Sequence, residues 1–176
     1  MRLIRLAALT SCLIASALGA QSITPEQLVG TWQGGFADIA SGLGDIYRLS
    51  PDGGFTFAFS EMDCAKREVS FSGRWSVEDG VLVLRLTERR ALVGGRLEPA
   101  TGSCSSATEL VGARARVRAL DPPEVLRMDL GILEAVRTDL RGAVTTDGPL
   151  VDRVSIGGRE YWRLSRNPDA TSRDPD

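Results

Sequence analysis

Histidine is absent from this chain. That removes the commonest general base, the Ser-His-Asp and Cys-His devices, and most zinc or haem ligation. Lysine occurs once, at Lys66, which leaves little for imine chemistry. Asparagine also occurs once, at Asn167, and Pro168 follows it, so no N-glycosylation sequon exists. Carboxylates are plentiful, but pairs such as Glu134 with Asp139 or Glu124 with Asp129 have no spacing that would mark an acid/base dyad. Asp52, Asp79 and Asp147 each precede a glycine and suit turns better than calcium ligation. No calcium loop and no phosphate-cradling glycine motif is present. The expectation is a non-catalytic chain with no metal and no cofactor.

No apolar run reaches the roughly 20 residues that a membrane helix needs. Arg2 and Arg5, an apolar run from Leu6 to Leu18, and the small residues Gly19 and Ala20 have the layout of a secretion signal. Cleavage is expected after Ala20, with Ala17 as the alternative, which places the protein in a periplasm or outside the cell. "LTSC" at 9–12 also resembles a lipoprotein box ending at Cys12. The run that follows Cys12 stays apolar where a tether should turn polar, so lipidation is the minor reading. Losing Arg2 and Arg5 with no acid moves the formal charge from −2 to −4. That balance does not suggest a nucleic-acid partner.

After cleavage Cys64 and Cys104 are the only cysteines, and in an exported chain an even pair is read first as a disulfide. Two buried thiols are the alternative.

The mature chain fits one domain at residues 21–166, with a disordered tail at 167–176. "TPEQL" carries a capping box, with Thr24 as cap, Pro25 at the first helical position and Gln27 closing the box. Gly30 ends this helical turn. Beyond it the pattern has period two, the mark of half-buried strands. Phe55, Phe57 and Phe59 share one face, as do Phe71 and Trp75 with Val69 and Val77, and Leu82 with Leu84 and Leu86. Further strands are expected at about 29–36, 44–50, 109–119, 124–130, 151–156 and 159–166.

Tight turns are expected at 50–54, 78–80, 121–124 ("DPPE") and 157–158, and long connections at 37–43, 61–68, 88–108 and 131–150. Strict alternation of short and long suits an up-and-down antiparallel β-barrel of about 8–10 strands, with short turns at one end and long loops at the other. Cys64 and Cys104 would then meet at the loop rim. A Greek-key sandwich is the competing architecture, and "ALVGGRLE" at 91–98 could form an extra hairpin.

The short helix leading into Gly30-Thr31-Trp32, the second Gly-x-Trp at Gly73-Arg74-Trp75, and Arg163 on the last strand resemble the lipocalin-like small barrels of the calycin group. The resemblance covers most of the mature domain. It implies a barrel whose closed end holds Trp32 beneath an arginine, Arg163 or Arg166.

Two candidate sites follow. The first is the barrel interior, with Phe55, Phe57, Phe59, Phe71, Trp75, Leu82, Leu84 and Leu86 as the inward set. It would either bind a small apolar or amphipathic molecule or simply be filled. The second is "ARARVRA" at 113–119, which puts Arg114, Arg116 and Arg118 on one strand face. Facing outward, they would join Arg74 and Arg85 in a basic patch for an envelope protein or lipid headgroups. Facing inward, they would need an anion, because unpaired buried guanidiniums are very costly. The expectation is outward. The functional expectation is a carrier or sequestering protein, with a filled interaction module as the alternative.

Overall fold

In the computed structural model residues 23–35, 44–102, 104–139 and 143–170 are described. The secretion signal and Cys12 lie outside them. The elements are α1 (Pro25–Leu28), β1 (Gly30–Gly34), β2 (Ile46–Leu49), β3 (Gly54–Ala58), β4 (Glu68–Glu78), β5 (Val81–Pro99), β6 (Thr108–Arg137), β7 (Leu150–Ile156) and β8 (Arg159–Ser165). Each strand pairs antiparallel with the next, and β8 closes on β1. The fold is an all-β, eight-stranded up-and-down barrel with a short N-terminal helical turn, so the Greek-key sandwich is excluded.

The capping box forms, with the Thr24 amide donating to Gln27 Oε1 at 2.9 Å. Gly30 then admits no side chain, because a Cβ there would sit 2.3 Å from the Ser165 carbonyl oxygen, at φ +132°. Asp79 and Gly80 both have positive φ, the signature of a two-residue hairpin turn matched to strand twist. The alternating apolar residues converge on one core: Trp32, Leu49, Leu82, Leu84, Leu86 and Val154 are fully buried.

Three expectations about the connections fail, one of them because β6 runs on through residues 131–137, which were expected to open the long 131–150 connection. "DPPE" at 121–124 is not a turn. Ala119 faces Glu88 and Glu124 faces Leu86, so β6 advances from 119 to 124 while β5 moves only from 86 to 88. The prolines sit in a wide bulge that lets the chain continue in the same direction, and Leu120 drops into the core. With that turn gone, every later connection changes ends. The 157–158 turn lies with the long loops, and the 138–149 connection lies with the short turns.

"ALVGGRLE" is likewise no separate hairpin, and most of 88–108 is strand. It belongs to β5, which with β6 forms a ribbon over residues 88–99 and 108–119; β5 stays paired with β4 as far as Ala91, and beyond it the ribbon continues past the barrel rim. This stretch is about 40 Å long if straight. Gly94, Gly95 and Gly112 lie across from one another with φ of +70°, +68° and +74°, and there the ribbon bends. At its base the β5 edge is held, with the Leu92 amide donating to Arg67 O at 2.6 Å. At its tip the β6 edge is held, with the Leu110 amide donating to Cys64 O at 2.8 Å. The ribbon therefore turns over between base and tip. A Cys64–Cys104 disulfide, with Cα atoms 5.7 Å apart, joins the tip to the 59–67 loop.

The first residues of the expected tail lie against the barrel. Thr31 Oγ1 donates to the carbonyls of Asn167 and Pro168, both at 3.2 Å. Among the described residues no helix is long and apolar enough to cross a membrane.

Candidate functional site: an arginine groove above a packed interior

The eight residues of the inward set do come together. Phe55, Phe57, Phe71, Trp75, Leu82, Leu84 and Leu86 belong to the core, with Phe59 packed against them. The Phe57 and Phe71 rings stack at 4.6 Å, and Phe59 meets Phe57 edge-on at 4.9 Å. Tyr47 packs on Phe57 at 4.5 Å and on Tyr161 at 5.0 Å. Such offset and edge-on contacts are favourable in themselves. This section of the barrel is occupied by the protein's own rings.

Burial raises the Tyr47 pKa far above the ordinary phenol value, and neighbouring Tyr161 adds to the shift. Tyr161 is also raised, chiefly by burial. Since the neutral form is favoured in the fold, stability is complete below about pH 10, where unfolded tyrosines begin to ionise, and is lost above it. The expected slope is about 1.4 kcal/mol per pH unit for each tyrosine. Urea midpoints across alkaline pH should show it, and Tyr47→Phe should flatten it.

The closed end is built around Trp32. Its Nε1 donates to Leu28 O at 2.7 Å, and the Arg163 guanidinium lies 4.0 Å from the ring centroid. Arg163 Nε donates to Asp152 at 2.8 Å, and its two terminal nitrogens donate to the Val29 and Gln27 carbonyls at the end of α1. Arg166 instead stays exposed, 3.4 Å from the same Asp152 carboxylate.

The five arginines expected to form one outer patch do not. Arg74 and Arg85 are cross-strand neighbours on the outer wall, near Asp52 and Glu78 respectively. Arg118 instead faces Arg89 across the ribbon, Arg116 faces Ala91, and Arg114 faces Val93. Arg89 is itself paired with the inward-facing Phe71, and its guanidinium lies 6.0 Å from that ring. The comb of arginines is thus continuous with the barrel's inner surface. The cause is the irregularity between Leu86 and Glu88. A shift of one residue moves all later side chains to the other face, so period two counted from Leu82 fails beyond it.

Inward facing does not bury these arginines. Arg114, Arg116 and Arg118 are exposed, since β7 pairs with β6 only from Leu130 onward and leaves this part of β6 uncovered. Arg116 and Arg118 help enclose an open groove of about 780 Å³ at the rim, lined also by Glu68, Arg89, Ala91 and Glu124. Arg89 is held between Glu124 at 2.7 Å and Glu68 at 3.6 Å. Among the described residues Arg114, Arg116 and Arg118 have no acidic group within ion-pair distance, so the groove carries an uncompensated positive face.

Comparison with family models, curated proteins and solved structures finds no match. The groove must be read from its own chemistry. Sequence reasoning missed Arg89, Glu68 and Glu124, whose signal lay only in the bulge. Among the described residues no cluster of three His, Cys, Asp or Glu side chains could hold a metal ion.

Proposed function

We propose that the chain is an exported, non-catalytic binding protein of lipocalin-like build that works at its rim, by capturing an anionic group in the arginine groove. The observation that carries this is the convergence of Arg89, Arg116 and Arg118 on one groove, where Arg116 and Arg118 have no acidic partner. Guanidinium forks bind carboxylates and phosphates with two parallel hydrogen bonds, and an open groove lets them do so without prior desolvation cost. The stacked rings below support a filled barrel over an internal cargo. The disulfide supports an oxidising compartment, in keeping with the leader-like first twenty residues.

The test is calorimetric titration with a short polyglutamate peptide. Binding is expected to weaken steeply with salt, as for exposed charges. Arg116→Glu with Arg118→Glu should weaken it by at least about tenfold while leaving the thermal midpoint nearly unchanged, since both side chains are exposed. Equal binding by the double variant would refute the groove as the site.

A further inference from the structure

From the backbone of the ribbon we infer that the partner is an extended acidic segment of another protein, which adds as an extra strand to the open edge of β6 and lays its carboxylates on the arginine comb. This rests on the reading of the groove as an anion site and names its occupant.

β6 pairs with β5 from Thr108 to Asp129, yet β7 begins to pair with it only at Leu130. Beyond the Cys64 contact at Leu110, the second edge of β6 from Val111 to Met128 has no ladder partner among the described residues. Residues 114–119 are all exposed, and Val117 is 55% exposed. Up to Asp121 this row of unpaired N–H and C=O groups is a template for another strand, and Pro122 and Pro123, which have no N–H, end it.

The side chains then choose which strand. Arg114, Arg116 and Arg118 recur about every 6.8 Å on one face, while Ala113, Ala115, Val117 and Ala119 occupy the other. An incoming strand with acids at alternate positions would set a carboxylate against each guanidinium, and small apolar residues between them would cover Val117. Opposite charges directly across a sheet are favourable and like charges are not. A second copy of this chain is therefore the wrong occupant. Antiparallel self-pairing centred on Arg116 sets Arg116 against Arg116 and Arg114 against Arg118.

The probe is a synthetic peptide of about eight residues alternating glutamate and valine, added to the full chain. Two controls keep its charge: one gathers the glutamates into a block, and the other is N-methylated at every second amide on the edge meant to meet β6. The alternating peptide is expected to bind at least about tenfold more tightly than either control, and to slow amide exchange across residues 113–119. In Arg116→Glu with Arg118→Glu, a lysine–valine peptide should replace it as the binder. Equal binding of all three acidic peptides, without exchange protection, would overturn strand addition and leave the anion groove standing. Failure of these peptides together with polyglutamate would remove both.

Discussion

Arg163→Met is expected to cost about 3–5 kcal/mol of folding stability, seen as a lower urea midpoint and a thermal midpoint down by roughly 10 °C. Arg163 is only 8% exposed and makes four contacts at once, with Asp152, the two carbonyls closing α1, and the Trp32 ring. Methionine keeps much of the volume but removes every donor. Asp152 would be left with exposed Arg166 at 3.4 Å, and the Val29 and Gln27 carbonyls would lose their partner. Most of the cost comes from these stranded groups, since an unpaired buried polar group forfeits its solvation. Arg163→Lys should fall between wild type and Met, because an ammonium keeps the charge but not the planar fork. Combining Arg163→Met with Trp32→Phe should cost less than the two separate losses added together, since both disrupt one contact. A near-neutral Arg163→Met would mean that the closed end is held by packing alone.

Replacing Cys64 and Cys104 together by serine is expected to cost about 4 kcal/mol, the loop-closure entropy of a cross-link spanning 40 residues. The unfolded chain gains that freedom whether or not the folded ribbon changes shape. The check is a pair of urea curves for the wild type, with and without a thiol reductant, beside the serine variant in both conditions. Reductant should lower the wild-type midpoint to that of the variant and leave the variant where it was. An unchanged wild-type midpoint under verified reduction would show that the ribbon tip unfolds apart from the barrel and does not share its cooperativity.

The barrel was legible in the sequence because its evidence is local and repeated. Phe55, Phe57, Leu82, Leu84 and Leu86 declare their face by alternation, and the same side chains build the core. What failed was counting across irregularities. Pro122 and Pro123 look like a turn, because proline usually ends a strand. A wide bulge accommodates them equally well, and only the pairing of Ala119 with Glu88 and of Glu124 with Leu86 distinguishes the two. The arginine comb was found as a stripe, but its facing was misread for another reason: an inward face was taken to be a buried one, whereas Arg114, Arg116 and Arg118 share the inner face and are still exposed. Arg89 could not be singled out among the charges of "TERRA" without knowing that the period slips just before it. Glu68 and Glu124 stand far apart in the chain and meet at Arg89 only through strand register.

The ribbon's two anchorages have a mechanical consequence. A hairpin fixed only at its base would be a cantilever, free to swing away from the rim. This one is pinned at the base through Leu92 and at the tip through Leu110 and the disulfide, so it is loaded as a span. Both anchorages fall within residues 64–67 of one loop, so whatever stiffens or loosens that loop acts on the base and the tip of the ribbon together.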